Sequence, residues 1–355
     1  MNKSTVVLSL GLVAGVLSTM VANVAMANEV ESFWSQSAYA AVQPLAAGLV
    51  QSTDPKHPGS NVYAYSGFTT TDFKTTDGKS VRVWAPTGAT GKLPLLAFGA
   101  GKSLGNPVNY QAMFEHLAKK GMVVANIQFE GGFFDTDFVK FAGWFNNGVK
   151  QTLANTTLAD ATRVYYAGHS LGSQVSVIAA ALATTLDTAN AYVDPKGMIL
   201  MSYDNSRGPT NGGDLNNPAA GYAVKVAPGV RSMILEFEDD SIAGPAKTYA
   251  QALYGKLPSS QKQWVRVKGK NLGSTYALSA DHNSPLTGGG APANIGGAAA
   301  LNALDWHMVW KVVAGMPLST TSADAASFLT GANLLNGGTA TGGVVLQHTL
   351  MGQNF

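Results

Sequence analysis

No cysteine occurs anywhere in the 355 residues, so a disulfide framework, a thiolate metal site and a cysteine nucleophile are all excluded. Charge is also scarce. Asp, Glu, Lys and Arg make up 12% of the chain, about half of what an ordinary soluble domain carries. The net charge is only +2 and the basic residues are scattered, which leaves no electrostatic footprint for a nucleic-acid partner. No internal repeat is visible, and no group of His, Asp and Glu has metal-ligand spacing. No cofactor fingerprint appears either. What is abundant is apolar: 46% hydrophobic residues and 40 glycines, enough for one large core and too hydrophobic for a disordered chain.

The first residues predict export. Lys3 is the only charge before Glu29, and Val6 to Val21 is nearly all apolar or small. Ala25-Met26-Ala27 then supplies the small-x-small pattern that signal peptidase reads. The expectation is a signal peptide over 1–27, leaving residues 28–355 without a stable membrane span. The rival reading is a retained anchor, because the uncharged run is long enough to cross a bilayer. An exported chain without disulfides fits a bacterial secreted or periplasmic protein.

Residues 28–60 read as a lead-in with helical periodicity up to about 50. Tyr63 to Phe73 and Ser80 to Ala85 then alternate as a hairpin turning at Asp77-Gly78. Beyond this the pattern changes to short continuous apolar runs at Leu93–Phe98, Met122–Ile127, Arg163–Ala167, Met198–Ser202 and Met233–Phe237, with a weaker one at Trp264–Val267. Such runs mark strands buried on both faces. Helical periods lie between them at Tyr110–Lys120, Thr136–Lys150, Leu171–Leu186 and Pro245–Leu257, and another follows at Leu301–Ala314. Alternating strand and helix predicts an α/β architecture, a mostly parallel central sheet with helices on both faces. The catalytic domain is placed at 61–315 and a Gly-rich tail at 316–355, whose one apolar run, Val344–Leu346, leaves open whether it packs as a late hairpin or hangs loose.

Two G-x-S-x-G pentapeptides occur, at Gly101-Lys102-Ser103-Leu104-Gly105 and Gly168-His169-Ser170-Leu171-Gly172. In a chain this rich in Gly and Ser, chance gives roughly 0.3 such matches, so context must decide. A nucleophile elbow needs a strand, a strained turn and an immediate helix. Ser170 has Val164–Ala167 before it and an apolar helical run directly after it, whereas Gly105-Asn106-Pro107 breaks any helix after Ser103. Ser170 is the predicted nucleophile. Gly101-Lys102-Ser103 also imitates the end of a phosphate loop, but Leu96 stands where that loop requires Gly, so nucleotide binding is rejected.

The elbow resembles that of α/β-hydrolase-fold esterases and lipases. Lys92 to Asn126, with its apolar strand, Gly-rich turn and Phe114–Ala125 stretch, is similar to the dienelactone-hydrolase/secreted polyesterase (cutinase-like) branch. The resemblance spans roughly 60–315 and implies a Ser, acid, His order along the chain. His57, His116 and His169 are thereby excluded, leaving His282, His307 and His348. His282, in a polar loop after the last predicted strand, is favoured; His307 reads as a helix-face histidine beside Trp306 and Trp310. For the acid, Glu236, Glu238, Asp239 and Asp240 compete after the strand ending at Phe237, with Asp204 as an alternative after the previous strand. The family pattern aligns Asp240.

Acyl transfer also needs two N–H donors for the oxyanion. The expected donors are the amides of Leu171, after the nucleophile, and Lys102, after Leu93–Phe98, with Gly101 as runner-up. Relatives often carry an aromatic or apolar residue where Lys102 stands, so its ammonium either attracts acidic substrates or simply points into solvent. Phe129, Phe133 and Phe134 are the candidate acyl-pocket residues. Trp144 is either core or rim, and its place in a helical period favours core. The resulting expectation is a secreted serine hydrolase that cleaves carboxylic esters through an acyl-enzyme, without cofactor, acting on a small or polymeric ester. Amide cleavage by the same triad and a catalytically idle binding protein are the alternatives.

Overall fold

The computed structural model describes residues 49–131, 135–185, 191–204, 218–271, 277–288, 301–340 and 344–354. The predicted signal peptide, nearly all of the helical lead-in, and Phe133 and Phe134 lie outside these residues. In chain order the elements begin with a hairpin, β1 (Phe68–Lys74) and β2 (Ser80–Pro86), followed by β3 (Leu93–Gly99) and α1 (Gln111–Lys119). Next come β4 (Val123–Ile127), α2 (Phe138–Asn155), β5 (Ala159–His169), α3 (Leu171–Thr185) and β6 (Gly197–Met201). Then follow α4 (Pro218–Ala223), β7 (Arg231–Phe237), α5 (Tyr249–Lys256), β8 (Lys262–Val267) and the short pair β9 (Lys270–Asn271) and β10 (Ala277–Leu278). The chain ends in α6 (Trp310–Leu318), α7 (Ala323–Ser327), α8 (Gly331–Leu335), β11 (Asn336–Ala340), β12 (Val344–Gln347) and β13 (Thr349–Asn354).

Among the described residues the central sheet has nine strands in the order β1-β2-β4-β3-β5-β6-β7-β8-β13. The hairpin joins antiparallel through β2 and β4. All neighbours from β4 to β8 are parallel. This is the α/β-hydrolase fold. Its apolar strands are continuous because both faces are covered. Leu96 and Phe98 of β3 enter the core shared with α1 and α6, while Leu95 and Ala97 enter the one shared with α2 and α3. Tyr165 and Ala167 divide from Val164 and Tyr166 in the same way.

Two features concern points the sequence left open. The segment after 316 adds β13 antiparallel to β8 and so extends the sheet. Trp144 is only partly buried: it stacks on Phe141 at 5.9 Å, with the Lys79 ammonium 3.8 Å from its ring centroid. It borders an open cleft with Tyr192 and Tyr222, so it sits at a rim. Among the described residues, no helix is long and apolar enough to cross a membrane.

The interior holds an unusual set of neutral histidines. Burial depresses His57, His116, His169 and His348 to about 3 and His307 to about 4, from an ordinary 6.5. The unfolded chain therefore binds protons on these rings below pH 6.5 that the native state refuses until pH 3–4, so their contribution to stability is full above 6.5 and drains as pH falls. Each such histidine contributes a slope of about 1.4 kcal/mol per pH unit. Burial raises Asp281 to about 6 and also raises Glu236 and Asp305, which act in the opposite sense but are fewer. The urea midpoint should therefore be clearly lower at pH 5 than at pH 7. Equal midpoints would show that these imidazoles titrate normally.

Candidate active site

Parallel pairing puts the carboxyl ends of β3 to β8 along one edge, where open α/β sheets bind ligands. Gly99 at the end of β3 pairs with Gly168 of β5, so the loop after β3 and the turn after β5 lie side by side. Ser170 occupies that turn alone, between the last residue of β5 and the first of α3. Its φ is +51°, a left-handed conformation that a non-glycine residue adopts only when its surroundings enforce it. They do so here: the Ser170 N–H donates to Met201 O at 2.9 Å, and Ser173 Oγ lies within hydrogen-bond reach of both Gly168 O and Met201 O, between which its one proton is shared. A Cβ on Gly168 would stand 2.3 Å from the Gly172 backbone, and one on Gly172 would stand 1.9 Å from Gly99 O. The two glycines are the condition for strand and helix to approach this closely.

The other pentapeptide is built differently. Ser103 also has positive φ, at +60°, but it is exposed, and only a three-residue turn at Pro107–Asn109 follows it. The Glu130 carboxylate accepts the Ser103 N–H at 2.9 and 3.1 Å. The same carboxylate lies 3.2 Å from Lys102 Nζ, so the ammonium faces a protein anion rather than open solvent.

On the far side of the elbow, the Asp240 and His282 side chains are buried against each other, with His282 Nδ1 2.9 Å from Asp240 Oδ2. The second oxygen, Oδ1, accepts the N–H groups of Ile242 and Ala243, both at 2.8 Å. Burial alone would raise the Asp240 carboxyl. The His282 hydrogen bond and charge, with the two amides, outweigh it and hold the group below the usual carboxylate value. An ionised Asp240 on Nδ1 fixes the tautomer in which Nε2 carries the lone pair. Asp239 is turned elsewhere: its Oδ2 accepts the Ala280 N–H and its own N–H donates to Ala280 O, both at 2.9 Å. This double bond ties the acidic turn to the chain two residues before His282.

The other candidates are dispersed. His307 Nε2 donates to Val50 O at 3.0 Å, and His348 Nδ1 accepts the Lys268 N–H at 3.1 Å. Glu236 pairs with Arg266 at 2.9 Å. Leu171 is the first residue of α3, where backbone N–H groups have no partner within the helix and the dipole favours negative charge. Phe129 is 2% exposed and packs against Phe141 and Phe145, with its ring 3.2 Å from where a Gly99 Cβ would stand. It thus lies beneath the loop that carries Lys102. The Gly101 N–H donates to Tyr110 Oη at 3.1 Å, which turns it inward and removes the runner-up oxyanion donor.

Sequence reasoning passed over Tyr110, Glu130, Asp239 as a brace, and above all His169. The His169 ring lies 4.9 Å from that of His282, and its Nε2 is 2.7 Å from His282 O. Its only signal in the sequence was its place inside the elbow pentapeptide.

Among curated proteins, none matches the chain. Over residues 57–205 the chain matches the family described as Chlorophyllase, a span that contains the loop after β3 and the elbow at Ser170 and points to a hydrolase of the esterase type.

Proposed function

We propose that the chain is a serine hydrolase of carboxylic esters. Ser170 Oγ attacks the ester carbonyl while His282 Nε2 takes its proton. His282 then returns the proton to the departing alcohol, leaving an acyl-enzyme that water resolves by the same steps in reverse. Asp240 holds the imidazole and stabilises its charged form. The amides of Leu171 and Lys102 bind the oxyanion, and Phe129 backs the acyl pocket from beneath the Lys102 loop. The observation that carries this reading is the strained Ser170 at a strand–helix elbow with a buried, hydrogen-bonded His282–Asp240 pair in the neighbouring loops.

Substrate class follows more loosely. The stretch Lys92–Asn126 supports the dienelactone-hydrolase/secreted polyesterase branch, and the family match adds esterases named for chlorophyll. Both favour an apolar ester. The Ala25–Ala27 pattern supports cleavage after Ala27 and a secreted or periplasmic location. Labelling with a fluorophosphonate and mapping the modified peptide tests the central claim. Label on Ser170 that disappears in His282→Ala is expected; label on Ser103, or none on folded protein, would overturn it. Matched ester and amide substrates then separate esterase from amidase.

A further inference from the structure

Three groups that the proposed reaction does not use run between the two loops that it does use. The Gly101 N–H, in the loop that carries Lys102, donates to Tyr110 Oη at 3.1 Å. Tyr110 Oη lies 2.8 Å from His169 Nδ1, and His169 Nε2 lies 2.7 Å from the His282 carbonyl oxygen. The directions are forced. A carbonyl only accepts, so His169 Nε2 carries the proton; the neutral ring then offers its Nδ1 lone pair, and the tyrosine hydroxyl must donate to it. Every donor and acceptor in the chain Gly101 N–H, Tyr110 O–H, His169 N–H, His282 C=O is thereby matched, at sites where a lost partner is costly.

The two rings are fully buried and rigidly placed. Tyr110 packs against Phe98 and Phe114, and a Cβ on Gly101 would stand 2.9 Å from His169 Nδ1. Burial raises the Tyr110 phenol above its ordinary value and lowers His169 to about 3, so neither group changes protonation in the working range. The chain of bonds is static, a tie rather than a proton path.

We propose that His169 and Tyr110 are positioning residues, which hold the oxyanion loop and the His282 loop in register across the elbow. This rests on the serine-hydrolase reading above. The tie acts on His282 through its own carbonyl, whereas Asp240 acts on its ring. Cutting it leaves the fold standing, because a second bridge joins the same regions: Asn109 Nδ2 donates to Leu104 O at 3.0 Å, and the Thr287 N–H donates to Asn109 O at 2.7 Å. The loss therefore falls on alignment of the reacting groups.

The test uses His169→Phe, Tyr110→Phe, the double variant and His169→Gln, assayed on p-nitrophenyl butyrate. Misalignment of a catalytic group by about an ångström costs up to roughly 100-fold, so each Phe variant should lose about 10- to 100-fold in kcat with KM nearly unchanged. The double variant should be no worse than the worse single, because either change cuts the same chain. A glutamine amide offers a donor and an acceptor like the neutral imidazole, so His169→Gln should recover most of the loss. Tyr110→Phe carries the test should His169→Phe not fold. Folded Phe variants with wild-type kcat, or losses that simply multiply in the double variant, would overturn the proposal. Fluorophosphonate labelling separates the two failures. A labelled wild-type Ser170 with equally fast labelling in Tyr110→Phe sinks the tie alone, whereas an unlabelled wild type sinks the hydrolase reading and the tie with it.

Discussion

Ser170→Ala is expected to lower kcat on a short-chain p-nitrophenyl ester by on the order of 10⁶, the loss seen when the nucleophile of a cooperating triad is removed. His282→Ala should cost nearly as much, and combining the two should add little, because neither group works without the other. Asp240→Asn should cost about 10⁴, since an amide cannot stabilise the imidazolium and its NH2, donating to Nδ1, leaves the His282 proton on Nε2, the wrong tautomer. The neighbouring position supplies the control. Asp239 faces the Ala280 N–H and not the ring, so Asp239→Asn keeps an acceptor for that amide and should lose far less than Asp240→Asn. Ser103→Ala removes only an exposed hydroxyl and should stay near wild type. The measurement is steady-state kinetics with circular dichroism to confirm folding. A dead Ser103→Ala beside an active Ser170→Ala would transfer the chemistry to the other pentapeptide, and an Asp239→Asn as damaged as Asp240→Asn would mean the two carboxylates had been told apart wrongly.

What could be read in advance follows a physical division. The parallel strands were legible because burial on both faces leaves continuous apolar runs, and Leu93–Phe98 and Met233–Phe237 fall within strands one or two residues longer. The elbow was legible because close backbone approach demands glycine at 168 and 172. The sheet edge beyond β8 was not. The tail's one apolar run, Val344–Leu346, falls in β12, but β13 (Thr349–Asn354) mixes Gly, Gln and Asn with Leu and Met and has no alternation of its own, so its place is set by pairing with β8. The same holds within the site. Chain order and loop position could nominate Asp240 and His282, but His169 and Tyr110 meet only through the fold, 59 residues apart. A histidine set aside by chain order as a base was thereby also set aside as anything else, and Tyr110 read only as the start of a helix. Likewise, nothing in the sequence shows that Lys102 faces Glu130.

The second large effect is steric. Gly172→Ala adds one methyl group where it would meet Gly99 O at 1.9 Å, Gly99 C at 2.3 Å and Ala100 O at 2.8 Å. All three atoms are backbone, in a strand hydrogen-bonded on both sides to β4 and β5, so no side chain can swing away to make room. The amino end of α3 must lift from the sheet or the end of β3 must bend. Overpacking of this kind costs about 3 kcal/mol or more, which lowers the melting temperature by roughly 5–10 °C in a domain of this size. Either displacement also parts the Leu171 amide from the loop after β3, so the surviving folded fraction should lose esterase turnover as well. Gly255 makes the comparison sharp. It lies in α5 with nothing within 4 Å of its would-be Cβ, and Gly255→Ala should stabilise the helix by up to about 1 kcal/mol. Differential scanning fluorimetry on the two variants reads both signs at once. A Gly172→Ala protein that melts with the wild type and keeps its turnover would mean that strand and helix are further apart at the elbow than this geometry has them, and the strained Ser170 would then lose the contacts that hold it at φ +51°.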